Sequence, residues 1–248
     1  MAIAAWRLIP YFEACGLTQM AVDEWLLEQH RLKGKPPVLR FYTWQPIAIS
    51  LGYHQYHYPD YWHTLRWHGQ PIDLVRRPSG GRAVLHQGDL TYSLVTSGHR
   101  GRRRDIYAYL CRFLVEGLHK LDIPLHLGTE HRYQRSANCF GTSTAADLVM
   151  NNGYKLIGSA QLYRDHCILQ HGSIRLQPDP HLVKTVFGTP IIPPSTLANI
   201  ALSSIIESLT EAAQKVFGIT FKTQPLSRQE LLAATTWAQA KPLSMKRR

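Results

Sequence analysis

Acidic side chains are in short supply: 17 Asp and Glu stand against 28 Lys and Arg, a formal charge of +11 over 248 residues. So basic a chain favours an acidic partner, whether nucleic acid, an anionic membrane or an acidic protein, and charge alone does not choose among them. Cysteine is scarce too. The four copies, Cys15, Cys111, Cys139 and Cys167, lie far apart with no C-x-x-C pair, which argues against a disulfide framework and against a zinc site. No apolar run approaches the ~18 residues of a membrane span, and the opening Met1-Ala-Ile-Ala-Ala-Trp-Arg7 lacks the basic-then-apolar order of a secretory signal. The 13 histidines show no H-E-x-x-H spacing, so no metal site is expected. Repeats and low-complexity linkers are missing as well. These absences leave a soluble, cytoplasmic, globular protein as the expectation.

What is present fits that frame. Hydrophobic residues make up 44% and charged residues 18%, enough to build a core. The length suits one domain, 1–248, with a core over about 6–221, a last helix over 227–240 and a tail over 241–248. Thr18 is placed to cap a helix that runs through Trp25 to a glycine stop at Gly34. Val38–Tyr42 and Ile47–Leu51 read as paired strands, and Pro59-Asp60 as the opening of a short helix to Trp67. Ile72–Val75 and Asp89–Val95 follow as strands. Asp105 is placed to cap a helix whose apolar stripe is Ile106, Tyr109, Leu110, Phe113, Leu114 and Leu118.

A polar loop from about Gly128 to Thr144 leads to Asp147–Met150. Asn151-Asn-Gly153 is a hairpin turn signal, because these residues tolerate positive φ. Lys155–Leu162 and Cys167–Leu176 read as the next strands. Ser195 or Thr196 opens an amphipathic helix ending near Gly218, and Ser227-Arg-Gln-Glu230 is a capping box. Strands in pairs interrupted by helices predict an α/β (α+β) fold with a mixed, largely antiparallel sheet and packed helices.

Three segments carry chemistry-bearing residues. In Arg76-Arg-Pro-Ser-Gly-Gly-Arg82 the glycines let a ligand approach the backbone, and Arg77 and Arg82 suit a carboxylate or phosphate. The same pattern also fits a plain tight turn with solvated arginines, and it is not a P-loop. Cys139, in Asn138-Cys-Phe140, is the one cysteine in a polar loop, whereas Cys111 and Cys167 fall in packing positions and Cys15 is grouped with them. A nucleophilic cysteine needs a nearby cation. Lys155 is the candidate, provided the Asn-Asn-Gly hairpin folds its strand back toward the loop; otherwise both are ordinary surface residues. His86 and His171 suit a base or a ligand, or a hydrogen-bonded structural role. The basic run His99–Arg104 fits a solvated loop or a docking patch for an acidic partner.

Taken together, Arg76–His86, Asn138–Phe140, Lys155-Leu-Ile-Gly-Ser-Ala-Gln161 and Leu169-Gln-His-Gly-Ser-Ile174 resemble the biotin/lipoate protein ligase catalytic superfamily, in order and separation, over Trp6 to Phe221. Within it the sequence is most similar to the LipM-type octanoyltransferases. Arg82 stands where ATP-dependent lipoate ligases usually carry a third glycine, and the Cys139-Phe140 dipeptide is a transferase feature. The resemblance implies transfer of an octanoyl group from acyl carrier protein to a lysine of a lipoyl-domain protein, such as glycine cleavage H protein or a 2-oxoacid dehydrogenase E2 subunit. It also implies no cofactor, no nucleic-acid partner and no membrane.

By the same resemblance, Cys139 is the nucleophile and Lys155 lowers its pKa. Arg77, Gly80, Gly81, Arg82, His86, Gly158, Ser159, Ala160 and His171 would bind substrate. The pattern departs at one point: the family often has Asp directly after the histidine matching His86, and here Gln87 stands there with the acid displaced to Asp89. An ATP-dependent lipoate–protein ligase and a non-catalytic basic binding module are the alternatives.

Overall fold

The computed structural model describes residues 4–128, 147–198 and 200–240. Strands β1 (Ala4–Ala14), β2 (Val38–Trp44) and β3 (Ala48–Leu51) bracket helix α1 (Gly16–Lys33). Two short strands, β4 (Arg66–Trp67) and β5 (Gln70–Pro71), form their own ribbon. They precede β6 (Asp73–Arg76), β7 (Val84–His86), β8 (Asp89–Ser97) and helix α2 (Arg103–His119). Next come β9 (Leu125–Leu127), β10 (Leu148–Met150), β11 (Lys155–Arg164) and β12 (Cys167–Arg175). The chain finishes with helices α3 (Pro180–Phe187) and α4 (Leu202–Phe217), strand β13 (Ile219–Thr223) and helix α5 (Arg228–Ala240).

Eight strands form the main sheet in the order β13-β1-β2-β8-β12-β11-β10-β9, and a second sheet orders as β6-β3-β7. Among the described residues of the main sheet, only the pairings of β1 with β13 and with β2 are parallel; the rest run antiparallel. The expected mixed, largely antiparallel sheet is what forms. Alternation along its strands feeds two cores. Leu39, Leu94 and Ile168 join α2 and α4 on one face, while their neighbours Val38, Val95 and Leu169 join α1 and α5 on the other. This is the period-two pattern of a sheet covered on both sides. The small sheet packs against α3 through Ile49, Leu51, Leu85, Leu182 and Val186.

Local signals place most ends. Gly34 and Gly218 close α1 and α4 in the left-handed region, at φ 60° and 64°. Gly153 turns the β10–β11 hairpin at φ +83°, as its Asn-Asn-Gly sequence demands. Ser227 and Glu230 cap each other's backbone N–H groups at 3.1 and 2.9 Å.

Other expectations are corrected. Val38–Tyr42 and Ile47–Leu51 do not pair: β2 lies in the main sheet, while the chain leaves it after Trp44 and β3 enters the small sheet between β6 and β7. The short helix is one 3-10 turn, Asp60–His63, because His68 and Gly69 at φ 47° and 77° fold Arg66–Trp67 back as a ribbon. Cys15, not Thr18, occupies the N-cap of α1. Arg102 occupies that of α2, with Asp105 inside the first turn. Ser195–Leu197 is a separate 3-10 turn ahead of α4.

Candidate active site

The two sheets meet over a cleft lined by residues of both. One wall is the centre of the main sheet: Thr91 on β8, Gly158, Ser159 and Ala160 on β11, His171, Gly172 and Ser173 on β12. The facing wall is Ser50 on β3, Val84 and His86 on β7, and Arg77 and Gly81 from the connecting loop; Met20, Tyr42 and Trp44 complete it. At Gly172 an added Cβ would run into Ser159, the Gly158 carbonyl and the Tyr92 ring, so no side chain fits there.

Seven of the expected substrate-binding residues therefore share one cleft: Arg77, Gly81, His86, Gly158, Ser159, Ala160 and His171. Gly80 and Arg82 do not line it. Their carbonyls, with that of Ser50, accept from the Arg77 guanidinium at 2.7–2.9 Å. Arg77 is thus buried and braces its own loop, rather than extending into solvent. Gly81, at φ +96°, passes so close to that guanidinium that a Cβ would lie 2.7 Å from Nη2.

Two histidine relays meet the cleft. In the first, His86 Nδ1 lies 2.9 Å from Asp89 Oδ2, and Nε2 lies 2.8 Å from Ser50 Oγ. Asp89 Oδ2 already accepts from the Thr91 and Ser173 hydroxyls, so the ring meets it as an N–H donor and keeps Nε2 as the acceptor. Trp44 stacks on the imidazole at 3.9 Å and donates to Thr91. Burial pushes His86 below the ordinary histidine value, against the pull of Asp89. The displaced acid of the sequence motif therefore reaches the histidine after all, three residues on instead of one. Gln87 turns away and accepts from the Asp179 backbone N–H.

In the second relay, His171 Nδ1 lies 2.9 Å from Asp23 Oδ2, and Nε2 meets Ser79 Oγ. Asp23 is fully buried on α1, ion-paired at 3.0 Å with Arg40, which is itself fully buried, and it accepts from Tyr42 at 2.8 Å. Burial alone would raise the Asp23 carboxyl, but the Arg40 charge and the His171 hydrogen bond outweigh it and hold the group below its usual range.

Lys155 begins β11 just past the hairpin turn, buried, with Nζ 2.9 Å from Asp147 Oδ2. It is three residues, ~10 Å of strand, from Gly158. Cys139 lies outside the described residues. Of the other thiols, Cys111 is buried and pushed up to about 12 by desolvation, and burial also raises Cys167, so neither is a ready thiolate. Among the described residues, no three His, Cys, Asp or Glu side chains gather to hold a metal.

Sequence reasoning missed Ser50, Asp23, Arg40 and Asp147. Two left a signal. Asp23 falls on the buried stripe of α1 with Met20 and Leu27, and Arg40 interrupts the apolar run Val38–Tyr42. A lone charge at a core position implies a buried partner.

The model of the family described as "Lipoyl protein ligase A/B catalytic domain" matches residues 16–221. The octanoyltransferase LipM of Kyrpidia tusciae is 38% identical over 197 residues, 75% of this chain and 71% of that protein. The LipM of Moorella thermoacetica is 37% identical over 185 residues, 71% of this chain and 67% of the relative. Among solved structures, a bi-partite lipoate protein ligase from Thermoplasma acidophilum, studied with its E2 lipoyl domain, superposes with a TM-score of 0.73 at 19% identity, covering 96% of this chain and 93% of that one. At that identity the superposition speaks for the fold, and the LipM likeness speaks for the branch. The chain belongs to the lipoyl protein ligase A/B catalytic domain family, among its LipM octanoyltransferases.

Proposed function

We propose that this chain transfers an octanoyl group from a carrier-protein thioester, through Cys139, to a lysine of a lipoyl-domain protein. Octanoyl transfer in protein lipoylation is the activity of its LipM relatives. The observation that carries the reading is the convergence of the Arg77–Gly81 loop, His86, Gly158–Ala160 and His171 on one cleft between two sheets. Met20, Trp44, Val84 and Ala160 give that cleft an apolar flank for an alkyl chain.

The chemistry runs in two steps. The Cys139 thiolate attacks the carrier thioester carbonyl, a carbon–sulfur bond forms as another breaks, and the carrier thiol leaves with the proton. The acceptor lysine amine then attacks the enzyme thioester, giving an amide and returning the thiol. Exchange between thioesters is near balance and amide formation runs downhill, so no ATP enters. An ordinary thiol near pKa 8.5 is only a few per cent ionised at neutral pH, and the Lys155 ammonium is assigned the task of raising that fraction. The basic surface suits acidic protein partners and speeds their encounter.

Intact-mass measurement after mixing with octanoyl carrier protein tests this. The expected result is one octanoyl mass gained, mapped to Cys139, and no transfer to a lipoyl domain by Cys139→Ala. Transfer at the wild-type rate by that variant overturns the covalent route. Release of pyrophosphate from ATP with free lipoate would assign the chain to ligase chemistry instead.

A further inference from the structure

We propose that Ser50 is a second acyl-accepting nucleophile and gives this chain a slow acyl-thioester hydrolase activity independent of Cys139. The inference rests on the reading that the cleft holds the acyl group of a thioester.

A hydroxyl becomes a nucleophile when a neutral base is within hydrogen-bond reach and a third group fixes that base. Ser50 Oγ is 2.8 Å from His86 Nε2, and His86 Nδ1 is 2.9 Å from Asp89. All three stand on strands. Ser50 is held in register on β3 between Val75 and Val84, and the imidazole plane is fixed by the Trp44 ring. Rigid placement of this kind is what a catalytic group requires. A cation is also in place: Arg77 Nη1 lies 3.3 Å from Ser50 Oγ, close enough to favour the negative charge that builds on Oγ as its proton moves to His86. Ser50 and His86 both line the cleft.

The second relay has the same order of side chains but not the same access. Ser79 does not line the cleft, and Asp23 is neutralised by Arg40 in the core. That relay ties the glycine loop to β12 and α1, and it is assigned no chemistry.

The reaction balances with water as the only co-reactant. Ser50 Oγ adds to the thioester carbonyl while His86 Nε2 takes its proton; the carbon–sulfur bond breaks and the proton passes to the leaving thiol. Water then adds to the Ser50 ester, His86 takes a proton from it and returns one to Ser50, and the fatty acid is released. The activity discharges acyl chains when no acceptor lysine is engaged.

The test uses an octyl fluorophosphonate, which phosphonylates activated serines, with the labelled peptide mapped by mass spectrometry. On the wild-type chain the label is expected at Ser50, a result that needs no variant to fold. It should persist in Cys139→Ala and Ser79→Ala and fall about 10²–10⁴-fold in rate in His86→Gln, the usual scale of a general base. In parallel, Cys139→Ala should release thiol from octanoyl coenzyme A faster than buffer does, and Cys139→Ala/Ser50→Ala should not. A folded wild-type chain that transfers octanoyl groups but leaves Ser50 unlabelled overturns the hydrolase inference alone. Labelling at Ser50 without any transfer to a lipoyl domain leaves it standing and removes the transferase reading.

Discussion

Two serine–histidine–aspartate relays meet the cleft through their histidines, and their difference lies in what stands behind the carboxylate. Behind Asp23 is a fully buried guanidinium, with the Tyr42 ring 3.9 Å from the Arg40 charge; behind Asp89 are two neutral hydroxyls, Thr91 and Ser173. The Asp23 relay has a charge to balance deep in the protein. The Asp89 relay only has a ring to orient. Identical side-chain order therefore ties a loop to the core in one place and turns a serine toward the cleft in the other, and it is surroundings, not sequence, that separate them.

The sharpest way to break that comparison is to remove each carboxylate in turn. Asp23→Ala strands Arg40 without its counter-charge, which should cost about 3–5 kcal/mol in urea unfolding. Asp89→Ala leaves only neutral groups short of an acceptor, so about 1–3 kcal/mol is expected. Equal losses would show that Arg40 does not distinguish the two.

A control away from both relays is Ser227→Ala in the α5 capping box, expected to lower stability by about 1 kcal/mol with octanoyl transfer unchanged. A drop in transfer there would mean that α5 couples to the cleft.

The smallest effect is one of slope. Burial holds His86 below the free-histidine value near 6.5. As pH falls below that value the unfolded chain takes up a proton that the folded ring refuses, so stability tied to this ring is full above it and is lost toward acid. His86→Gln should accordingly unfold with a flatter stability–pH profile between about pH 7 and 5. An unchanged slope would show that His86 does not titrate differently in the folded chain.

Much of the local structure was legible because short-range chemistry writes it. Glycine at Gly34 and Gly218, the Asn-Asn-Gly turn and the Ser227/Glu230 pair each need only neighbours a few residues away. Helix α3 was legible too, since Asp179 accepts from the His181 and Leu182 N–H groups ahead of Pro180, but that Asp-Pro signal went unread. Long-range choices were not visible. Nothing around Trp44-Gln-Pro46 tells which sheet receives β3, and nothing in Asp23 or Arg40 names the other. Of the site, the motif blocks predicted convergence of His86, His171 and the glycine loop, whereas Ser50 sits in an ordinary apolar strand and is found only through what lies opposite it. The Cys139 assignment lies outside the described residues and rests on resemblance.

The parallel pairing of β1 with β13, Ala4 beside Ile219, has a consequence for synthesis. Strand β1 waits for the distant β13, so until residue 223 has emerged one side of β1 keeps a bare row of amides and carbonyls. Contacts of such sequence separation form late and slowly. A nascent chain stalled before that point offers a sticky edge, and chaperone binding should concentrate there.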